Sequence, residues 1–298
     1  AYGVLASSSF VRISSVNIDA GSYIWTAGMA ISSWTTVSYS SITVQAAHGL
    51  YIDGAFNTVS YSTAANDDTD VGRYPLYLVG ASSNTFTSVR MVNLNGQGTR
   101  LQSSHNNTFT SSTLQSGCYG VCSQVTYTAV TLLNSSSNTF SASTMIDETG
   151  FGLEIESGSG YNTVIFSTMS GGANDETQFG FKESQGAYNT ISNSYISGSS
   201  AAIISGSTGT VFNSNDLNSG QFNNSVLSIV GGSSGVSVSS NTLFGAIGAN
   251  KASGIYLNSN SGSIILSTNT IRYVQNGIYI ATHSAQTTII VTSNTIIT

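Results

Sequence analysis

The sequence predicts an all-β solenoid in which short strands from successive repeats stack into parallel sheets. Three observations support this fold class. A short pattern recurs in twelve segments of the 298 residues. Its plainest form is Asn-Thr-apolar, with a second apolar residue five places after the first. A second pattern, Gly-apolar-any-apolar, precedes many of these segments. The only proline is Pro75, so nearly every backbone N–H group is available for sheet hydrogen bonds.

The repeats align on an anchor residue placed two before the first inward apolar position. The residues two after each anchor are all apolar, from Ile13 to Val291, and so are those seven after it, from Ile18 to Ile296. Period-two alternation in short runs predicts two or three half-buried strands per repeat. The anchors, spaced about 25 residues apart, are Val11, Thr35, Asn57, Asn84, Asn107, Asn138, Asn162, Asn189, Thr210, Val236, Ile264 and Ile289.

A unit of this size cannot bury its inner face alone, so successive copies are expected to stack. Stacked coils of short strands form parallel sheets, because each strand pairs with its equivalent one coil further on. At about 4.8 Å per coil, twelve coils give a rod roughly 58 Å long. The predicted fold is therefore a parallel β-helix of about twelve coils.

Asparagine recurs in the turns of the repeats, where its expected role is structural. Its side chain tolerates the left-handed backbone region, and its amide can bond to the same amide one coil above. From Thr210 onward, asparagine shifts from the turn before the strand to the turn after it. The predicted asparagine ladder comprises Asn57, Asn84, Asn107, Asn138, Asn162, Asn189, Asn215, Asn241, Asn269 and Asn294.

Composition excludes several classes of protein. Apolar residues make up 40% of the chain, enough for an ordered core, whereas charged residues make up only 7%. A net charge of −6 with seven basic residues argues against nucleic acid or an anionic membrane surface as a partner. No apolar run approaches the length of about 20 residues that spans a bilayer.

The two ends and the two cysteines leave alternatives open. The chain starts Ala1-Tyr2-Gly3, without Met or a signal peptide, so a mature or excised segment is expected. The repeats stop abruptly at both ends, which favours one domain over 1–298 that is part of a longer rod or stacks end to end. Cys118 and Cys122 form a small-loop disulfide or remain free thiols.

Two stretches carry a resemblance to a known family. Asn189–Ile196, and Gly-Ile-Tyr-Leu at 254–257 with the later Ser-Thr-Asn-Thr-Ile at 267–271, resemble right-handed parallel β-helix repeats. Such repeats occur in pectate-lyase-like enzymes, phage tailspikes, periplasmic copper-processing proteins and large repetitive bacterial surface proteins. The resemblance covers nearly the whole chain. It implies a right-handed, single-stranded β-helix and says little about activity, because this fold supports lyases, hydrolases, epimerases and non-enzymes.

Acidic residues are few and clustered, so they are the candidates for chemistry. Glu154 and Lys182 occupy equivalent positions after Gly152 and Gly180, which predicts an ion pair between adjacent coils. If the protein is an enzyme, the candidate catalytic residues are Asp147, Glu148, Glu154, Asp175, Glu176 and Lys182, since paired carboxylates suit glycoside hydrolysis and a lyase needs a basic group. If Ca²⁺ binds, its candidate ligands are Asp67, Asp68 and Asp70, or Asp147, Glu148, Asp175 and Glu176. The alternative is that these charges only keep a Ser/Thr-rich rod soluble.

Two outward-facing sets are further candidates for binding. Tyr51 and Tyr77, like Tyr256 and Tyr279, occupy the same strand position in consecutive coils, where they either bind sugar rings or stabilise the sheet. Threonine and serine flank the inward residue in many repeats and resemble the ice-binding face of solenoid antifreeze proteins. Variable coil length argues against a regular array, and threonine also suits any exposed strand.

These observations favour an extracellular or cell-surface rod with a structural or adhesive role, self-associating or part of a longer chain, and able to bind glycans. The second hypothesis is a polysaccharide lyase or glycoside hydrolase with its site on the acidic edge. Ice binding is a remote third hypothesis. No cofactor is expected, apart from Ca²⁺ under the second hypothesis.

Overall fold

The computed structural model describes residues 1–67, 72–118, 126–173, 177–220, 224–246 and 253–297. It confirms the predicted parallel β-helix. Three parallel sheets of twelve strands each enclose one continuous core, and each strand pairs with its equivalents in the neighbouring coils. The one helix in the described ranges is a short 3-10 turn at Gly21–Tyr23.

The first sheet has the longest strands, of four to six residues. Their order along the rod follows the order in the chain. The strands are Tyr2–Ala6, Ala27–Ile31, His48–Ile52, Leu76–Val79, Thr99–Gln102, Thr128–Leu133, Phe151–Ile155, Phe179–Ser184, Ser200–Ser205, Leu227–Val230, Ser253–Asn258 and Asn276–Ile280.

The second sheet contains the Asn-Thr-apolar repeat, and most of its strands have three residues. They are Arg12–Ser14, Thr36–Ser38, Thr58–Ser60, Thr85–Thr87, Thr108–Thr110, Thr139–Ser141, Thr163–Ile165, Thr190–Ser192, Val211–Asn213, Val236–Ser239, Ser263–Ser267 and Thr288–Thr292.

The third sheet follows the second after one tight turn in every coil. Its strands are Asn17–Asp19, Ser41–Val44, Thr63–Asn66, Arg90–Asn93, Thr113–Ser116, Thr144–Asp147, Thr168–Ser170, Tyr195–Gly198, Asp216–Ser219, Thr242–Phe244, Thr270–Arg272 and Thr295–Ile297.

The core consists of the inward apolar residues that the repeat alignment predicts. Phe86, Phe109 and Phe140 are fully buried and stack along the rod, with ring centroids 4.4 and 4.9 Å apart. Burying such a side chain stabilises the fold by about 1.5–3 kcal/mol relative to leaving it exposed. In the last coil the inward residues Val291 and Ile296 are exposed, because no further coil covers them among the described residues.

Two columns of asparagine side chains run along the rod at the two ends of the second-sheet strands. In the first column, each amide Nδ2 donates to Oδ1 of the next asparagine at 2.9–3.1 Å, from Asn57 to Asn189. In the second column, the same contact joins Asn215 to Asn294 at 2.9–3.1 Å. All members except Asn294 are buried. The amides thus satisfy buried polar groups at turns where the backbone changes direction.

The first asparagine column ends on a buried carboxyl group. Thr210 takes the place of the next asparagine, and Glu183 of the first sheet points inward beneath it. Asn189 Nδ2 donates to Glu183 Oε1 at 2.8 Å, and Thr210 Oγ1 lies 3.0 and 2.9 Å from the two carboxyl oxygens. Burial raises the pKa of Glu183 to about 7, against the opposing effect of hydrogen bonds from Asn189, Thr210 and Ser207.

Candidate functional site

One outward-facing residue from each coil of the first sheet forms a straight row along the rod, called the axial row below. Strand pairing places these residues in register, because outward side chains repeat with period two in every strand. The row consists of Leu5, Ala30, Tyr51, Tyr77, Arg100, Thr131, Glu154, Lys182, Ile203, Ser228, Tyr256 and Tyr279.

The axial row combines candidates that the sequence assigned to separate surfaces. The four tyrosines and the Glu154–Lys182 pair lie on the same face of the same sheet. The expected ion pair is present, with Lys182 Nζ 2.8 Å from Glu154 Oε1. From Tyr51 to Tyr279 the row covers nine coil steps, or roughly 43 Å. Thr131 is buried, so an extended ligand would contact this face at several points on either side of that residue.

A cluster of four aromatic rings forms one end of this face. His48 lies parallel to Tyr74 with ring centroids 5.6 Å apart, and Tyr77 contacts both rings at 4.9 Å. Tyr51 meets Tyr77 edge-on at 5.9 Å. Burial, followed by the charge of Arg73, lowers the pKa of His48 to about 4, so the imidazole is neutral at pH 7.

His48 and Tyr74 were not predicted as members of this cluster. Tyr74 precedes its strand after a connection of variable length, so its position in the repeat could not be aligned. Tyr74 N donates to His48 Nδ1 at 3.2 Å, which fixes the orientation of the imidazole ring. The phenol of Tyr77 donates to Gln102 Oε1 at 2.8 Å, so the orientation of this ring is also fixed.

Charged side chains occupy the middle of the axial row. The Arg100 guanidinium lies 5.8 Å from the Tyr74 ring centroid, and Lys182 Nζ lies 4.4 Å from the Phe151 centroid. Both cations thus contact aromatic faces, which attract positive charge. The pKa of Glu156 is raised, first by burial and then by the charge of Glu154, although Arg100 and Lys182 oppose this shift.

A groove of about 500 Å³ occupies the other end of the face. Tyr256 and Tyr279 form one wall, with parallel rings 5.7 Å apart. Phe179, Ile203 and Ser228 line the part nearer the charged centre. The groove therefore presents aromatic surface beside hydroxyl groups, a combination that suits a ligand with both apolar and polar faces.

The acidic turn of Asp147 and Glu148 lies at the corner where a third-sheet strand ends. Asp147 is buried; its carboxyl group accepts from Ser116 Oγ and from Thr149 N. Burial raises the pKa of Asp147, and these hydrogen bonds oppose the shift. Glu148 is exposed. The carboxyl group of Asp147 thus stabilises the backbone of this turn, and its oxygens accept hydrogen bonds from the protein itself.

The candidate metal ligands are only partly described. Asp67 is exposed and accepts from Asn95 Nδ2. Asp68, Asp70, Asp175 and Glu176 lie outside the described residues. Within the described ranges, no group of three or more His, Cys, Asp or Glu side chains is arranged to hold a metal ion. The Ca²⁺ site stays a prediction.

Of the two cysteines, only Cys118 lies within the described residues. Cys118 is disulfide-bonded, whereas Cys122 lies outside the described residues. Disulfides persist mainly in proteins that are exposed to oxidising compartments. No helix in the described part of the chain has the length and hydropathy of a transmembrane segment.

Solved structures share this architecture at low sequence identity. A surface adhesin of Streptococcus pneumoniae, PfbA, matches with a TM-score of 0.64 and 12% identity over 90% of this chain and 78% of its own. The A-module of the Azotobacter vinelandii mannuronan C-5 epimerase AlgE6 matches with a TM-score of 0.56 and 10% identity, over 96% and 90%. The tailspike of the E. coli bacteriophage HK620, solved with a pentasaccharide, matches with a TM-score of 0.61 and 11% identity, over 98% and 60%. At these identities the likeness concerns the fold alone.

The sequence comparisons agree with the architecture. No curated protein matches the sequence. The family model described as "Right handed beta helix region" matches residues 24–174, just over half of the chain. With the stacked sheets described above, this match shows that the chain belongs to the right-handed β-helix family.

Proposed function

We propose that this protein is a surface-exposed rod that binds an extended polysaccharide along the axial row of the first sheet. The main support is the register that aligns four tyrosines, Arg100 and the Glu154–Lys182 pair on one face. Aromatic rings pack against the apolar faces of sugar rings, while the charged and hydroxyl groups bind sugar substituents.

The arrangement of the face favours a long ligand over a small one. The aromatic cluster around Tyr77 and the groove at Tyr256 lie at opposite ends, with the charged residues between them. A ligand that contacts both ends loses its translational and rotational freedom only once, while both sets of contacts contribute to its binding free energy. We therefore expect affinity to rise with oligosaccharide length until both ends are covered.

A location outside the cytoplasm is part of this proposal. The disulfide-bonded state of Cys118 supports it, because cytosolic thiols are kept reduced. Similar folds occur in a surface adhesin and a phage tailspike, which agrees with such a location. Self-association of the rods stays a prediction; electron microscopy at rising concentration tests it, and discrete monomers throughout would contradict it.

Binding is tested by calorimetric titration with acidic and neutral oligosaccharides of increasing length. The double variant Tyr256→Ser/Tyr279→Ser is expected to weaken binding of the longest chains on the order of tenfold, since each stacked aromatic ring contributes about 0.5–1.5 kcal/mol. Tyr195→Ser is the control, because Tyr195 lies on the third sheet and is 43% exposed, close to the 48% of Tyr279. Equal losses in both variants, or no binding by the wild type, would contradict the proposal.

A second candidate function is cleavage of the bound polysaccharide. It is favoured by the carboxyl groups of Glu154, at an outward strand position, and of Glu156, directly after the same strand, since a pair of carboxyl groups suits glycoside hydrolysis. Burial and the charge of Glu154 raise the pKa of Glu156, the direction that a general acid requires. Incubation with polysaccharides and detection of new reducing or unsaturated ends tests this function. Turnover that is unchanged in Glu156→Gln would exclude Glu156 from the chemistry.

A further inference from the structure

The outer face of the second sheet is bordered by exposed aromatic rings along both edges. One edge is the turn before each strand, where Trp34 and Phe56 stack with centroids 4.4 Å apart and Phe10 stacks on Trp34 at 5.8 Å. The other edge is the turn after each strand, where Tyr39 and Tyr61 stack at 5.1 Å. All of these side chains are between 48% and 80% exposed. Two aromatic edges thus border one sheet face in the second and third coils, and Phe10 extends the first edge into the first coil.

The same borders recur in the seventh and eighth coils. Tyr161 and Tyr188 stack at 5.1 Å on the first edge, and Phe166 lies across the sheet from Tyr161 on the second edge. Each of these aromatic residues has a positive φ, near +50° to +64°. In the coils between, Ser83 and Ser137 adopt the same backbone conformation at the first edge. The turn itself therefore does not require an aromatic residue.

Between these borders lie two columns of hydroxyl groups. Seven consecutive threonines are in register in the column that follows the first edge, spaced by about 4.8 Å per coil over roughly 29 Å. They are Thr36, Thr58, Thr85, Thr108, Thr139, Thr163 and Thr190. The second column contains Ser38, Ser60, Thr87, Thr110, Ser141, Ile165 and Ser192.

From the second to the eighth coil, this face differs from the other sheets in having no charge. Arg12 occupies the equivalent position in the first coil. All fourteen column positions lie within the described residues, and none of them is Asp, Glu, Lys or Arg. The outer face of the third sheet includes Arg90 and Asp216, and that of the first sheet includes the Glu154–Lys182 pair. A general preference of threonine for exposed strands would give all three faces the same character.

The aromatic borders and the threonine column end together. In the ninth coil the border position is Gly209 and the column position is Val211, and the next border position is Gly235. The connections that differ most in length run from the third sheet to the first, so they do not disturb this face. That location removes the objection that variable coil length prevents a regular array here.

We propose that the outer face of the second sheet, from the second to the eighth coil, is a separate binding site for a neutral polysaccharide. Threonine and serine hydroxyls donate and accept hydrogen bonds, as the hydroxyl groups of a sugar polymer do. The aromatic borders provide apolar contact on either side of the chain, and an uncharged floor gives no preference for an acidic polymer. This site is independent of the axial row, which lies on another sheet.

The experiment measures binding of the intact chain to insoluble β-1,4-glucan and chitin and to soluble β-1,3-glucan and mannan. The triple variant Thr85→Val/Thr108→Val/Thr139→Val removes three hydroxyls and keeps β-branched side chains. It is expected to weaken binding to the preferred polymer by about tenfold or more. Thr113→Val/Thr144→Val/Thr168→Val makes the same change in register on the third sheet and is expected to bind as the wild type does.

A second variant tests the aromatic border. Phe56→Ser/Tyr61→Ser introduces the residue that occupies both equivalent turns one coil further on, at Ser83 and Ser88, so the fold is expected to persist. Binding to the neutral polymer is expected to fall in this variant as well. Failure of the wild type to bind any of the four polymers, or equal losses in the third-sheet control, would overturn the proposal. If binding is lost only in Tyr256→Ser/Tyr279→Ser, the polymer lies on the axial row; the second-sheet site is then refuted while the proposed function stands.

Discussion

Replacing Glu183 with glutamine is expected to stabilise the rod at pH 8 and to leave its stability at pH 4 nearly unchanged. Glu183 is fully buried, and its pKa is raised to about 7 from an ordinary value of 4.5. The folded state therefore holds the proton more tightly than the unfolded state does. Stability associated with the protonated carboxyl is present below about pH 4.5 and is lost as the pH rises to about 7.

The size of the effect follows from the shift in pKa. A difference of about 2.5 pH units at about 1.36 kcal/mol each gives an ionisation penalty of about 3 kcal/mol above pH 7. Glutamine can still accept the hydrogen bond from Asn189 and exchange one with Thr210, and it does not ionise. The gain at pH 8 is therefore expected to approach, and not exceed, about 3 kcal/mol.

Equilibrium urea unfolding at pH 4, 6 and 8 measures this effect as the difference between variant and wild type. The difference is needed because His48 contributes the opposite slope: its lowered pKa, about 4, makes stability fall as the pH drops from 6.5 toward 4. Glu148→Gln, at an exposed carboxyl, is the control for loss of charge alone. Equal destabilisation of Glu183→Gln at all three pH values would refute the reasoning, because the ionised carboxyl would then be stabilising.

Two further predictions concern stability and are measured by the same unfolding experiment. Asn138→Ala removes the acceptor for Asn107 N and Nδ2, both at 3.0 Å, and leaves buried N–H groups unpaired. We expect the free energy of unfolding to fall by about 3 kcal/mol. Asn17→Ala, at an exposed position, is the control and is expected to cost at most about 0.5 kcal/mol. Similar losses in both variants would show that the column contributes little. Phe109→Ala empties the middle of the buried phenylalanine stack and is expected to cost about 3–5 kcal/mol, whereas the 64% exposed Phe166 should tolerate alanine within about 0.5 kcal/mol. A cost below about 1 kcal/mol for Phe109→Ala would mean that the core collapses around the cavity.

Much of the fold could be predicted because the same pattern of apolar residues occurs in every repeat. Twelve independent copies of the same apolar spacing make an accidental match improbable, and the inward residues from Val37 to Leu266 are buried as that spacing predicts. The asparagine positions were recognisable for the same reason. Their hydrogen bonds join equivalent positions in neighbouring coils, so alignment of the repeats is enough to find the partners.

The candidate sites were less accessible to sequence reasoning. Tyr77 and Arg100 are neighbours on the axial row, but only the pairing of their strands shows it, since the connections between coils differ in length. Glu183 follows Lys182 directly and faces the opposite side of the strand, into the core. The aromatic border of the second sheet could have been predicted from the repeat alignment, because Trp34 and Phe56 both directly precede an anchor position.

The sequence by itself determined that this protein is a stack of short parallel strands with an apolar core and asparagine-lined turns. Those features depend on local periodicity and on contacts between equivalent positions, both of which the repeat displays. Only the tertiary structure decided which outward residues share a face. That depends on strand register and on the corner at which each extra residue is inserted, so one sheet collects rings and charges while another keeps an uncharged hydroxyl surface between aromatic edges.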